Sequence, residues 1–197
     1  MAGFYRYELR TTDLDAARDF YSGVFGLEFW DSGVSVVPLP ESAAARGAPA
    51  HWLGHIAVSD VDAAAGRVVA AGGQRLGPTG LRDPLGAVLA LGSETEVGAV
   101  PGVVLQVHHS LDGELASRFY SELFGSTDGQ VFVTADSPRI HPQWLFFFGV
   151  SDFEGSMEKI RSLGGLVLEP KHTPSGDLAV ACDDPQGAAF GLIGCRG

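Results

Sequence analysis

Arg6, Glu8 and Arg10 alternate with Tyr5, Tyr7 and Leu9, the period of a half-buried strand that turns charged side chains to one face and apolar ones to the other. If that charged face lines a cavity, two arginines would hold a carboxylate or enolate through forked hydrogen bonds. Glu8, or His55 on a neighbouring strand, would then move a proton, giving a metal-free acid-base site. If it faces solvent, the same charges would only neutralise one another. Trp30, Trp52 and Phe147 point to a second chemistry, stacking against a planar apolar molecule. His55 alone makes no metal centre, because a divalent catalytic ion normally takes about three protein ligands.

Other candidates are weaker. His108 and His109 share a strand on which Leu105 and Val107 carry the apolar parity, while His51, His141 and His172 fall near loops and read as surface residues. Asp183 and Asp184 precede Pro185 and read as shaping a turn rather than chelating calcium. Trp144, Phe146, Phe147 and Phe148 are apolar on both parities, the mark of a fully buried strand or of a wall for an aromatic ligand. Cys182 and Cys195 make no disulfide framework, so reduced thiols are expected.

The elements that must position these residues follow from caps and periodicity. Thr12 and Asp13 offer an N-cap, and Leu14, Ala17, Phe20, Tyr21, Val24 and Phe25 recur at helical spacing up to Gly26. Short strands are expected at Leu27–Trp30 and Val34–Val37, and a loop from Glu41 to Ala50. A strand from Trp52 leads into a helix after Asp60 that should bury Val61, Ala64, Ala65, Val68 and Val69 before Gly72 and Gly73 stop it. Strands should return near Arg75 and from Gly86 to Leu91, around the turn Asp83-Pro84-Leu85-Gly86.

The chain then repeats itself. Trp144 to Phe153 follows Trp52 to Val61 by 92 residues, and both stretches close on two glycines, the second time Gly164 and Gly165. Asp112, Ala116, Phe119, Tyr120, Phe124 and Gly125 match Asp13, Ala17, Phe20, Tyr21, Phe25 and Gly26 at an offset of 99. Asp184-Pro185-Gln186-Gly187 matches the earlier Asp-Pro turn. The boundaries expected are a first domain over 1–100, made of modules 1–50 and 51–100, and a second over 101–197, made of modules 101–142 and 143–197.

Composition narrows the function classes. At 197 residues and 45% hydrophobic the chain can bury a substantial core, and a formal net charge of -11 argues against a nucleic-acid partner. No run approaches the roughly 20 apolar residues of a membrane span, and the N-terminus has no basic and apolar leader pattern, so a cytoplasmic location is expected.

Asp13-Leu14-Asp15-Ala16-Ala17 through Phe20-Tyr21 and Phe25-Gly26, then Val58-Ser59-Asp60-Val61, Gly72-Gly73 and the Asp-Pro-x-Gly turns, together resemble the glyoxalase/bleomycin resistance family of the vicinal oxygen chelate superfamily. The doubled arrangement is similar to its two-domain members. The resemblance implies an α+β fold of tandem βαβββ modules, with cupped mixed sheets and helices on their convex faces. The stretches Leu27–His51 and Ser126–Gln143 are short for the strands such modules carry, so part of each sheet should be missing. A homodimer is compatible with this and with the acidic surface.

For the family's metal positions the resemblance points to Arg6, His55, Ala90 and a place within Val34–Leu39 in the first half, and to Leu105, Phe147 and Gly191 in the second. These residues supply one histidine and no carboxylate, so no metal cofactor is expected, with a divalent ion the lesser alternative. The expectation is a protein binding a small planar or apolar organic molecule through Arg6, Arg10, Trp30, Trp52 and Phe147. The alternative is an enzyme of lyase, isomerase or dioxygenase type, working through Glu8 and His55 without metal or, failing that, with one. A noncatalytic dimer is a third reading.

Overall fold

The computed structural model describes residues 3–31, 33–93, 102–125, 127, 129–135, 141–173 and 175–194. The strands are β1 (Phe4–Thr11), β2 (Val34–Pro38), β3 (His51–Val58), β4 (Gln74–Arg75), β5 (Gly80–Arg82), β6 (Val88–Ser93), β7 (Val103–Ser110), β8 (Gln130–Thr134), β9 (Gln143–Val150), β10 (Leu166–Val167), β11 (Lys171–His172), β12 (Leu178–Asp183) and β13 (Ala189–Gly194). The helices are α1 (Leu14–Phe25), α2 (Glu41–Ala44), α3 (Val61–Ala70), α4 (Gly113–Phe124) and α5 (Phe153–Ser162), with a 3-10 helix over Leu27–Asp31. One sheet runs β2-β1-β3-β6-β5-β4, the other β10-β12-β13-β9-β7-β8 with β11 on β12. Both are mixed: β3–β6, β9–β13 and β7–β8 pair parallel, whereas β5–β6 and β12–β13 pair antiparallel. The fold is the α+β arrangement of curled sheets and helices that the sequence implies.

Each long helix starts where an aspartate side chain takes an orphan backbone N–H: Asp13 from Ala16, Asp60 from Ala63, Asp112 from Leu115 and Asp152 from Gly155. Gly26 and Gly125 end α1 and α4 at φ 90° and 87°, where a side chain would be strained. Among the described residues one strand, β2, stands between α1 and β3 and one, β8, between α4 and β9, whereas three or more follow α3 and α5. The short segments therefore build βαβ modules, and the full βαβββ pattern is kept in the second and fourth.

Three local expectations are corrected. Leu27–Trp30 is not a strand but part of the 3-10 turn, because Phe29 is drawn under α1, parallel to Phe25 at 4.8 Å and to Tyr21 at 5.8 Å. Glu41–Ala44 forms a helical turn after Pro40, where a loop was expected. Val69 is 45% exposed, since it lies about 100° around α3 from the buried face of Ala64, Ala65 and Val68.

By packing, the residues sort into two compact units. The first comprises Met1–Tyr7, Leu53–Ala99 and Leu105–Leu145; the second comprises Glu8–Trp52, Val100–Val104 and Phe146–Gly197. The same buried polar chain anchors each. In the second unit Trp52 Nε1 donates to Tyr21 Oη at 2.9 Å, and Tyr21 Oη donates to Asp184 Oδ2 at 3.2 Å. Asp184 Oδ1 in turn accepts from the Gln186 and Ala188 N–H groups at 2.8 and 2.9 Å.

In the first unit Trp144 Nε1 donates to Tyr120 Oη at 3.0 Å, Tyr120 to Asp83 Oδ2 at 2.8 Å, and Asp83 Oδ1 accepts from the Leu85 and Ala87 N–H groups, both at 2.9 Å. Burial first, and the facing carboxylate second, raise both tyrosines well above the ordinary phenol pKa, so each stays a donor. Each chain of bonds takes its Tyr and Trp from one half of the sequence and its Asp from the other, so the two halves hold each other's cores.

Candidate functional site

In the first unit His55 on β3 is 7% exposed, and the parallel register places it opposite Ala90 on β6. The ring of Tyr5 meets the His55 imidazole edge-on at 6.3 Å, and a Cβ added at Gly92 would collide with the Tyr5 hydroxyl. Arg6 is exposed. In the second unit the equivalent register places Phe147 opposite Gly191, and a Cβ at Gly191 would fall inside the Phe147 ring. An aromatic ring over a glycine thus fills the corresponding strand face in each unit.

That arrangement answers whether the residues fit a metal. The two equivalent strand pairs supply one imidazole, one alanine, one phenyl ring and a glycine with no room for a ligating side chain. Among the described residues no group of three or more His, Cys, Asp or Glu side chains is placed to hold an ion. A family-type metal centre does not fit these residues.

Glu8 and Arg10 both lie in the second unit, where Glu8 is 7% exposed and Arg10 Nη2 approaches its Oε2 at 3.4 Å. Trp30 and Trp52 are gathered edge-on around Tyr21, at 6.1 and 5.3 Å. Trp30 is half-buried, gives its Nε1–H to Ser22 Oγ at 2.8 Å and carries the Arg18 guanidinium 5.5 Å above its ring. Trp52 is 6% exposed and lies among Tyr21, Phe29 and Phe148, so the ring is part of the core. Phe147 is likewise buried, with its ring against Gly191.

The opposite face of β9 opens instead. Phe148 alternates with Phe147, so it points toward α1 and packs on Phe25 at 5.3 Å and Phe29 at 5.2 Å. Phe25, Glu28, Phe29, Asp31, Gly102, Phe148 and Gly149 line a cavity of about 390 Å³ there, within the size range of small-molecule pockets and wholly inside the second unit. Aromatic carbon forms its walls, and its two charged groups are carboxylates.

Sequence pattern alone does not single out this cavity, and it marks His108 only as a weaker candidate. His108 is 0% exposed and hydrogen-bonds through Nε2 to Asp83 Oδ2 at 2.9 Å, giving Asp83 a partner that Asp184 lacks, since Leu9 holds the matching place. The available signal was a polar residue out of phase on an otherwise repeated strand. Asp83 and Asp184 shape their turns, as the sequence implies. Cys182 is buried and its thiol is pushed up to about 12, by burial foremost and then by Asp183, which leaves it no nucleophile.

Residues 3–83 match the Glyoxalase/Bleomycin resistance protein/Dioxygenase superfamily. CFP32 of Mycobacterium tuberculosis, whose name places it with the glyoxylases, is 27% identical over 241 aligned positions, which cover 94% of this chain and 92% of the relative. The anthracycline biosynthesis protein DnrV of Streptomyces peucetius is 29% identical over 255 positions, covering 96% and 92%. Both alignments exceed the 197 residues present here, so these relatives carry residues that this chain lacks, in keeping with the shortened modules.

A likeness in fold to solved structures extends over nearly the whole chain. The Mn(II)-bound glyoxalase of Novosphingobium aromaticivorans superimposes with a TM-score of 0.59 at 14% identity, covering 97% of this chain and 81% of that one. The 2,2',3-trihydroxybiphenyl 1,2-dioxygenase of Sphingomonas wittichii does so at 0.61 and 13%, covering 98% and 90%. The recognition made from sequence is met. No helix among the described residues is long and apolar enough to cross a membrane.

His51 and His109 set an acid response. Burial, more than any neighbour, lowers both pKa values below the ordinary imidazole value of 6.5, so the folded state keeps these rings neutral while the unfolded chain protonates them. The unfolded state therefore binds more protons, and stability should fall as pH drops from 6.5 through the depressed folded values. Urea midpoints measured across that window should decline in the native protein and flatten in the double variant His51→Gln, His109→Gln.

Proposed function

We propose that this protein binds a small planar organic molecule, without a metal ion, in the pocket of Phe25, Phe29 and Phe148. The observation that carries the reading is that rings pack over Gly92 and Gly191 on the strand faces to which the sequence resemblance assigns a chelate centre, while an aromatic cavity stays open on the other face of β9. The relatives named for anthracycline biosynthesis support a small organic ligand as the class.

The test is a fluorescence titration with acridine in the presence of a chelator. Phe25→Ala should weaken binding by about tenfold, the loss of one well-stacked aromatic contact. Glu8→Gln and His55→Ala should leave the affinity unchanged, since neither residue lines the pocket.

One observation favours a second reading, an enzyme of lyase or isomerase type: Glu8 is almost fully buried and ion-paired, an environment that suits an acid-base group. Under that reading Glu8→Gln lowers turnover of a substrate by about a hundredfold or more. Binding that survives this replacement, with no turnover to lose, supports the first reading.

A further inference from the structure

We infer that the pocket selects planar aromatic molecules carrying a positive charge, an inference that rests on the binding function proposed for it. Glu28 and Asp31 are three residues apart in the 3-10 helix Leu27–Asp31, and that geometry stacks residues i and i+3 on one face. Both carboxylates accordingly reach the same cavity, while Phe29, between them, is buried beneath α1. Glu28 folds back over the side-chain-free Gly26: a Cβ there would stand 2.8 Å from both carboxylate oxygens.

Gly102 and Gly149, which carry no side chain, complete the lining, and among the described residues no Lys, Arg or His lines the cavity. Arg18, the cation nearest in sequence, lies over the Trp30 ring instead. An anionic ligand would thus meet two like charges and no compensating donor, whereas a cation gains from both the carboxylates and the negative faces of the phenyl rings. A flat ring system with an attached or ring-borne ammonium or amidinium group matches the pocket in shape and charge.

Three acridines sharing one ring system separate charge from stacking: cationic 9-aminoacridine, neutral acridine and anionic acridine-9-carboxylate, titrated at low salt with chelator present. The native protein should bind the cation about tenfold more tightly than acridine, and the anion least. Glu28→Gln with Asp31→Asn should erase that preference while keeping acridine affinity. Glu154→Gln with Glu158→Gln removes two exposed charges on α5, away from the lining, and should leave the preference intact.

Equal binding of the cation and acridine by the native protein overturns the inference. So does loss of the preference in the α5 variant to the same extent, which would assign it to the overall charge of -11. Failure of every acridine to bind removes the pocket reading itself, and is told apart from the other outcomes because no affinity is left to compare.

Discussion

Replacing Asp83 with alanine should destabilise the protein by about 3–5 kcal/mol, the cost of stripping a buried charged hydrogen-bond network of its acceptor. Asp83 is 2% exposed and accepts from the Leu85 and Ala87 amides, from Tyr120 Oη and from His108 Nε2. Alanine would leave the tyrosine hydroxyl and the imidazole N–H with no acceptor in a dry core, and would also release the turn. Asp184→Ala breaks the equivalent turn and tyrosine contact but orphans no histidine, so about 2–3 kcal/mol is expected. Thermal denaturation reads both, with the Asp83 variant melting roughly 6–20 °C below the native protein. Equal losses in the two variants would show that His108 adds nothing to the first relay.

Gly191→Ala carries the second large effect. Its new methyl group would occupy the space of the Phe147 ring, and forcing extra volume into a packed interior costs about 1–3 kcal/mol. Phe147→Leu combined with Gly191→Ala should recover much of that loss, because the smaller side chain vacates the collision. If Gly191→Ala is neutral on its own, the ring does not seal this strand face, and the case against a chelate centre in the second half weakens with it.

The fold was legible in sequence where local chemistry and repetition agree. Asp13 and Asp60 announce their helices, Gly26 stops α1 at a positive φ, and the doubled Trp, Tyr and Asp-Pro motifs mark equivalent places in the two halves. The pairing of those motifs was not legible, because the hydrogen bonds join residues such as Tyr21 and Asp184 that lie 163 positions apart. The wall of the cavity was hidden for a different reason: Leu27–Trp30 has the composition of a strand, and only the pull of Phe25 and Tyr21 on Phe29 winds it into a 3-10 turn. Strand periodicity placed Glu8 and Arg10 on one face, where their ion pair is found, but it could not tell that Trp52 would be enclosed by three rings.

The most direct test of the central claim is the metal content of untagged protein, by elemental analysis before and after incubation with manganese, iron(II), nickel and zinc. The account expects no stoichiometric ion in either sample and the same result for His55→Ala. One ion per chain that survives dialysis and disappears in the His55→Ala variant would contradict it, and would make this a metal-dependent protein.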